Sequence, residues 1–187
     1  YLIHSMSGSA NNYDELEHIS AENFVKRINQ TSVKQVIYLS GIVNDTSLSK
    51  HLSSRKHVED VLCTGKFATT TLRAGIIIGS GSASFEIIRD LVNKLPIMIA
   101  PKWINTKCQP IAIADVLEFL SKSLLNPVTY NQSFDIGGPD ILTYKAMLMG
   151  FAKAKKLKRW IFSVPVMTLK LSSYWLYFVT STSYKLA

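Results

Sequence analysis

Residues 36–55 read Val36-Ile-Tyr-Leu-Ser-Gly-Ile-Val-Asn-Asp-Thr-Ser-Leu-Ser-Lys-His-Leu-Ser-Ser-Arg55. Val36 to Leu39 is an unbroken apolar run, closed off by Lys34-Gln35 before it and Ser40-Gly41 after it. Such a run suits a strand buried on both faces of a parallel sheet. Its last polar residue, Ser40, then stands at the carboxyl edge, where open α/β sheets bind ligands. After a short polar loop, Leu48, Leu52, Val58, Val61 and Leu62 recur at roughly helical spacing, and Asp45, Thr46 and Ser47 offer capping oxygens. His51 and Arg55 are four apart and therefore share one face of that helix. A hydroxyl at a strand end, followed by an imidazole and a guanidinium one turn apart, is a catalytic or cofactor-holding set. The same residues also suit an Arg capping carbonyls and a His packed at a helix rim, and the residues alone leave both readings open.

The 187 residues suffice for one domain of ordinary size, and a hydrophobic share of 47% is enough to bury a core, which excludes a disordered tail. The net charge of +8 is unevenly spread, because Lys153, Lys155, Lys156, Lys158 and Arg159 form one run. Without interleaved aromatics or a nucleic-acid motif, that run reads as a solvated helix end whose cations suit the helix dipole. Nucleic acid is therefore not expected as a partner, and membrane attachment is not expected either. Cys63 and Cys108 are far apart and have no metal-ligand spacing, so the expectation is a reducing, cytoplasmic setting without disulfides. His4, His18, His51 and His57 make no paired pattern, and no metal is expected. No signal peptide is visible, and no apolar run reaches the roughly 18 residues of a spanning helix.

Taken in order, Tyr1 to His4 reads as a buried strand feeding a Ser7-Gly8-Ser9 loop, which sets His4 and Ser5 at the same sheet edge as Ser40 if the two strands are parallel neighbours. Tyr13 to Gln30 carries Ala21, Phe24, Val25 and Ile28 at helical spacing, as a crossover helix requires. Strand, helix and strand make the right-handed unit of a doubly wound sheet. Further on, Ala68 to Arg73 is a β-branched strand, and Ile76 to Ile78 runs into Gly79-Ser-Gly81, a strand-to-helix turn. A phosphate site at that turn is weakened by the absence of a Gly-x-Gly-x-x-Gly spacing. Ser84 to Leu95 is a helix with Phe85, Ile88, Leu91, Val92 and Leu95 inward. Pro96–Ile99 and Gln109–Ile113 read as short strands on either side of a loop around Trp103. Asp115 reads as an N-cap for a helix burying Val116, Leu117, Leu120 and Leu124, which Asn126-Pro127 stops. Ser133 to Ile136 is a strand, Gly137 to Asp140 a turn, and Thr143 caps a helix with Met147 and Phe151 inward. From Trp160 to Ala187 the chain turns aromatic and hydroxyl-rich, and Leu171, Trp175, Phe178 and Val179 fit an amphipathic helix for a partner, a membrane surface or a further domain, with packing on more protein the preferred reading.

In this order the motifs resemble the second half of extended or atypical short-chain dehydrogenase/reductases, the group that includes NAD-dependent epimerases/dehydratases and NmrA-like NAD(P)-binding proteins. The resemblance rests on His4-Ser-Met6, Ile37-Tyr-Leu-Ser-Gly41, Leu72-Arg73-Ala-Gly-Ile-Ile-Ile-Gly79, Pro110-Ile-Ala-Ile-Ala-Asp-Val116 and Phe134-Asp-Ile-Gly-Gly138 followed by Leu142-Thr-Tyr144. It covers roughly residues 1–160. More narrowly, His51-Leu-x-Ser-Arg55, Gly79-Ser-Gly-Ser-Ala-Ser-Phe85 and Leu171-Ser-Ser-Tyr-Trp175 look like bacterial atypical members with a further C-terminal domain.

The resemblance implies an α/β fold: a partial Rossmann-like, doubly wound parallel sheet with a small C-terminal α/β lobe on the substrate side. The implied layout is 1–100 as the second half of the NAD(P)-binding domain, 101–160 as the lobe interleaved with the sheet, and 161–187 as a tail leading to a further domain. The implied ligands are NAD or NADP and a small-molecule substrate. The glycine-rich turn that cradles the pyrophosphate in that family is not among these residues, so the expectation is a portion of a larger protein, in contact with its other parts and binding dinucleotide incompletely. The family's catalytic Ser or Thr corresponds to Ser40. Its Tyr-x-x-x-Lys corresponds to His51 and Arg55. Imidazole exchanges protons near neutral pH, whereas Arg grips ribose or phosphate without titrating, so hydride transfer is permitted rather than implied. The implied cofactor-binding set is His4, Ser5, Met6, Ser40, Arg55, Arg73, Ala74, Gly75 and Ile76. The competing implication is a non-catalytic dinucleotide sensor or assembly subunit.

Overall fold

The computed structural model describes residues 1–3, 13–42 and 50–164. In chain order these form α1 (Tyr13–Ile28), β1 (Gln35–Gly41), α2 (Lys50–Leu62), β2 (Ala68–Ala74), β3 (Ile77–Ile78), α3 (Ala83–Lys94), β4 (Ile97–Pro101), β5 (Lys107–Cys108), β6 (Ile111–Ala112), α4 (Ile113–Ser123), β7 (Gln132–Ile136), β8 (Leu142–Thr143), α5 (Tyr144–Ala154) and β9 (Trp160–Val164). Two compact units share the chain. One comprises 1–75 and 114–137, the other 76–113 and 138 onward.

The first unit is built on a parallel sheet of order β1-β2-β7, as an α/β fold with helical crossovers demands. Val36, Tyr38 and Ser40 alternate on one buried face of β1. On that face Val36 and Tyr38 form a core with Ala21 and Val25 of α1, Val58 and Leu62 of α2, and Phe67. Ala21 and Val25 of α1 and Val58 and Leu62 of α2, all from the helically spaced sets, are thus the positions that reach the sheet. Gln35 ties the start of β1 to the end of α4: its amide donates to Thr70 Oγ1 (2.9 Å) and to the Ser123 carbonyl (3.0 Å), and its oxygen accepts from the Leu125 nitrogen (2.6 Å).

Two expectations need correcting here. Tyr1 does lie beside β1, donating its backbone nitrogen to the Ile37 carbonyl (2.6 Å), but residues 1–3 form no ladder, and Leu2 and Ile3 are exposed rather than buried. What anchors the segment is the Tyr1 ring, edge-on to Phe24 at 4.9 Å and to Tyr38 at 5.8 Å. In α4, Val116 and Ser123 are buried while Leu117 and Leu124 are exposed. Asp115 lies inside the first turn instead of capping it, because the helix starts at Ile113.

The second unit contains three two-stranded ladders: β3 with β6, β4 with β9 in parallel, and β5 with β8 antiparallel. Its core joins Ile88, Leu91 and Val92 of α3 with Met98, Ala100 and Ile161 of the β4–β9 pair and Met147, Leu148 and Ala152 of α5. Thr143 caps α5 as expected, its hydroxyl accepting from the Ala146 nitrogen at 3.0 Å. The strand expected over Gln109–Ile113 shrinks to Ile111–Ala112. Pro110 has no N–H for a ladder, and the Gln109 side chain donates instead to the Gly138 carbonyl at 2.7 Å. Gly138 in turn donates its nitrogen to the Pro110 carbonyl (2.9 Å), and a Cβ there would meet that oxygen at 2.4 Å, so only glycine fits.

Helix α5 ends in a Schellman turn. Leu157 donates to the Ala152 carbonyl (2.9 Å) and Lys156 to the Lys153 carbonyl (3.0 Å). The left-handed residue of that turn, normally glycine, is Lys156 at φ 56°. Arg159 caps α3 from outside, its Nε donating to the Val92 carbonyl at 2.5 Å.

Two stability measurements check these points. Gly138→Ala is expected to cost about 2 kcal/mol in urea unfolding through forced displacement at Pro110. Lys156→Gly is expected to stabilise by about 1 kcal/mol through relief of left-handed strain.

Candidate functional site

The carboxyl end of β1 presents Ser40, whose residue surface is 3% exposed and whose Oγ has no hydrogen-bond partner among the described residues. A buried hydroxyl without a partner is costly and uncommon in a folded chain. Two residues earlier on the same face stands Tyr38. Burial pushes its phenol above the ordinary range; the neighbouring Ser40 hydroxyl and the Arg55 charge act in the opposite direction, while Glu17 and Glu59 reinforce burial. Tyr38 and Ser40 are therefore close, although no well-formed hydrogen bond engages the Ser40 oxygen. Arg55, half-buried on α2, brings a fixed positive charge to this face of β1. His51 belongs to the first turn of α2, one turn ahead of Arg55.

Helix α2 is held in place by a buried acid. Arg73 of β2 meets Glu59 with two nitrogens, Nη2 to Oε1 at 2.7 Å and Nε to Oε2 at 3.3 Å, and Ser133 of β7 donates to the same carboxylate at 2.8 Å. The Arg73 Nη1 lies 3.9 Å from Asp135. Ser40, Arg73 and Asp135 are register partners across β1, β2 and β7, so they form one row on the α2 side of the sheet. The Glu59 contact raises the Arg73 pKa further. A second buried acid, Glu17 of α1, accepts a short hydrogen bond from Ser54 of α2 and fastens the two helices to each other.

Of the residues expected at the site, Ser40 and Arg73 are register neighbours, Arg55 acts on Tyr38 of the same strand face, and Arg73 has its guanidinium on Glu59. Ala74 is buried at the end of β2 and Gly75 is the exposed bend after it. Ile76 opens the second unit, its carbonyl accepting from the Ile111 nitrogen at 2.9 Å. His4, Ser5 and Met6, like the loop with Asp45, Thr46 and Ser47 and the segment from Pro165 on, lie outside the described residues. Sequence reasoning missed Tyr38, Glu17, Glu59 and Ser133. The signal was present for the two acids, since Glu17 precedes Ala21 by four and Glu59 precedes Leu62 by three, which puts each carboxylate on a buried stripe.

No family model and no curated protein matches this chain. Solved structures do. An epimerase from Methanothermobacter thermautotrophicus superposes with a TM-score of 0.72 at 8% identity, over 95% of this chain and 63% of that one. The UDP-glucuronic acid 4-epimerase of Bacillus cereus, in complex with UDP-glucuronic acid and NAD, gives 0.66 at 11% identity over 94% and 65%. The UDP-glucose 4-epimerase of Thermus thermophilus, in complex with NAD, gives 0.64 at 14% over 92% and 67%. The chain has the fold of these epimerases. It spans about 65% of the length of the Bacillus cereus enzyme. At these identities the likeness extends to architecture: a mixed α/β chain with the parallel strands of a partial Rossmann-like fold.

Two consequences are measurable. Arg73→Ala leaves the buried Glu59 carboxylate uncompensated and is expected to cost about 3 kcal/mol in chemical denaturation. The raised phenols of Tyr38 and Tyr1, the latter pushed up to about 12 chiefly by burial, favour the protonated form in the folded state. An unfolded tyrosine ionises near pH ~10, so their contribution is complete below that pH and is lost as pH rises from there toward the folded value. Urea midpoints across this range are expected to fall, and to fall less in Tyr38→Phe.

Proposed function

We propose that this chain is the nicotinamide-side portion of an NAD(P)-binding protein of the atypical short-chain dehydrogenase/reductase type, with an epimerase-like or reductase activity. The observation that carries the proposal is the buried Ser40 oxygen at the carboxyl end of a parallel strand, without a well-formed hydrogen bond among the described residues and close to the Tyr38 phenol, with the Arg55 charge acting on the same face. Neighbours of the same fold are described in complex with NAD, and one also with a nucleotide sugar.

The donor set fits one end of the cofactor. Ser40 offers a hydroxyl to a reacting carbonyl or carbinol oxygen, and Arg55 offers a non-titrating cation to a ribose or phosphate oxygen. His51, one turn from Arg55, is assigned the proton transfer that tyrosine performs in the wider family. Arg73 acts through Glu59, holding α2 so that Arg55 stays near Ser40. Ala74, Gly75 and Ile76 follow as the chain leaves the sheet, and His4, Ser5 and Met6 belong to the same proposed edge. When bound, the nicotinamide supplies or accepts the hydride. The pyrophosphate finds no Gly-x-Gly-x-x-Gly turn anywhere in these 187 residues, so the fit covers the nicotinamide half alone.

A second reading is favoured by one feature, the replacement of a titratable lysine by Arg55. An arginine grips a dinucleotide without taking part in proton relay, as in a sensor or an assembly subunit.

These residues alone are expected to bind NADH or NADPH poorly in calorimetry, and micromolar or tighter binding would contradict the assignment of the chain to the nicotinamide half. In the longest form of the protein that binds the cofactor, Ser40→Ala and His51→Ala are each expected to lower stereospecific hydride exchange with a carbonyl panel by about 100-fold. Cofactor binding without any exchange, unaltered by His51→Ala, overturns the enzyme reading in favour of the sensor.

A further inference from the structure

The parallel pair β4–β9 shows one face to the core, through Met98, Ala100 and Ile161, and the other to solvent. On the outer face Ile97 pairs with Trp160 and Ile99 with Phe162, and all four side chains are more than half exposed. The four together offer on the order of 400 Å² of apolar surface, within the range of patches that on a soluble chain mark an interaction site.

The basic run borders this patch. Trp160 shares the wall of an open depression of about 580 Å³ with Lys153, Lys158 and the exposed Met149. Among the described residues no carboxylate pairs with Lys153, Lys155, Lys156 or Lys158; Arg159 is spent on the cap of α3, and the Lys155 ammonium lies over the Phe151 ring at 5.9 Å. Lysine even occupies the left-handed position of the α5 turn, where glycine is the strain-free choice. Aromatic interleaving, missing within the run itself, is supplied by the strand that follows it.

We propose that this face is a docking surface for an anionic membrane: Trp160, Phe162, Ile97 and Ile99 enter the headgroup boundary, and the lysines pair with lipid phosphates. Tryptophan at the boundary of apolar and charged surface, with exposed lysines beside it, is the arrangement interfacial proteins use. A second copy of the chain fits worse, because an isologous contact over this patch sets the lysine clusters of both copies against each other.

The test is co-sedimentation of the chain with vesicles of phosphatidylcholine alone and of phosphatidylcholine mixed with phosphatidylglycerol, at low and high salt. Expected is binding to the mixed vesicles at low salt only. Lys153→Glu and Lys158→Glu should weaken it at least about fivefold each, and Phe162→Ser should weaken it with no change in the lysines. Lys156→Gly guards against unfolding as the explanation, since it is expected to stabilise the fold while still weakening binding about fivefold. The proposal is overturned by no binding to the mixed vesicles, by equal binding to both vesicle types, by binding that survives Phe162→Ser, or by a stable dimer that Phe162→Ser dissociates.

Discussion

A carboxylate cannot remain charged and buried without a partner, and in this chain that constraint falls on Glu59. Its position on the inward stripe of α2 lets the helix pack on the sheet only where Arg73 reaches it, with Ser133 completing the oxygen's hydrogen bonds. Once that contact is made the rest of the helix follows by periodicity. Val58 and Leu62 enter the core, Ser54 meets Glu17, and Arg55 comes to the face of β1 that carries Tyr38 and Ser40. The same ion pair, with Ser133, thus bonds two strands, β2 and β7, to one helix and sets the electrostatic surroundings of the strand end.

The same pairing engages Arg73, one of the residues assigned to the cofactor set, with the Glu59 carboxylate. A cation at a strand end in a family-like motif invites assignment to an anionic ligand, and here that cation stands in register between Ser40 and Asp135 with Glu59 of α2 against its guanidinium. Arg55 brings a second cation to the face of β1 that carries Tyr38 and Ser40. A helix-borne charge over a strand end is a geometry that the hydrogen bonding of β2 controls without touching it.

Much of the fold was legible because apolar periodicity has a single physical reading. The run Val36–Leu39 reads as a buried strand, although one face, Val36 and Tyr38, is buried more fully than the other, Ile37 and Leu39; the spacings of α1, α3 and α5, with the Thr143 cap, were written in side-chain chemistry. What was illegible depended on partners remote in sequence. Tyr1–Ile3 needed a ladder neighbour to become a strand, Leu117 and Leu124 needed a surface to be buried against, and the ladder at Gln109–Ile113 was cut short by Pro110 and by a glutamine that bonds Gly138 instead. At the site, Ser40 and Arg55 were readable from spacing, but Glu59 and Glu17 looked like ordinary surface acids because the pairing that permits their burial lies 14 and 37 residues away. The basic run divided in the same way, since only tertiary structure separates the capping Arg159 from the solvent-facing lysines.

The central claim is that the nicotinamide end of a dinucleotide lies against the carboxyl end of β1. It is tested most directly by titrating the isotope-labelled chain with reduced nicotinamide mononucleotide and following backbone amide shifts, because this half-ligand needs no pyrophosphate turn. Saturable shifts centred on Ser40, Gly41 and Arg55, and abolished by Ser40→Ala, are the predicted result. Shifts centred elsewhere, or none at millimolar ligand, would contradict it.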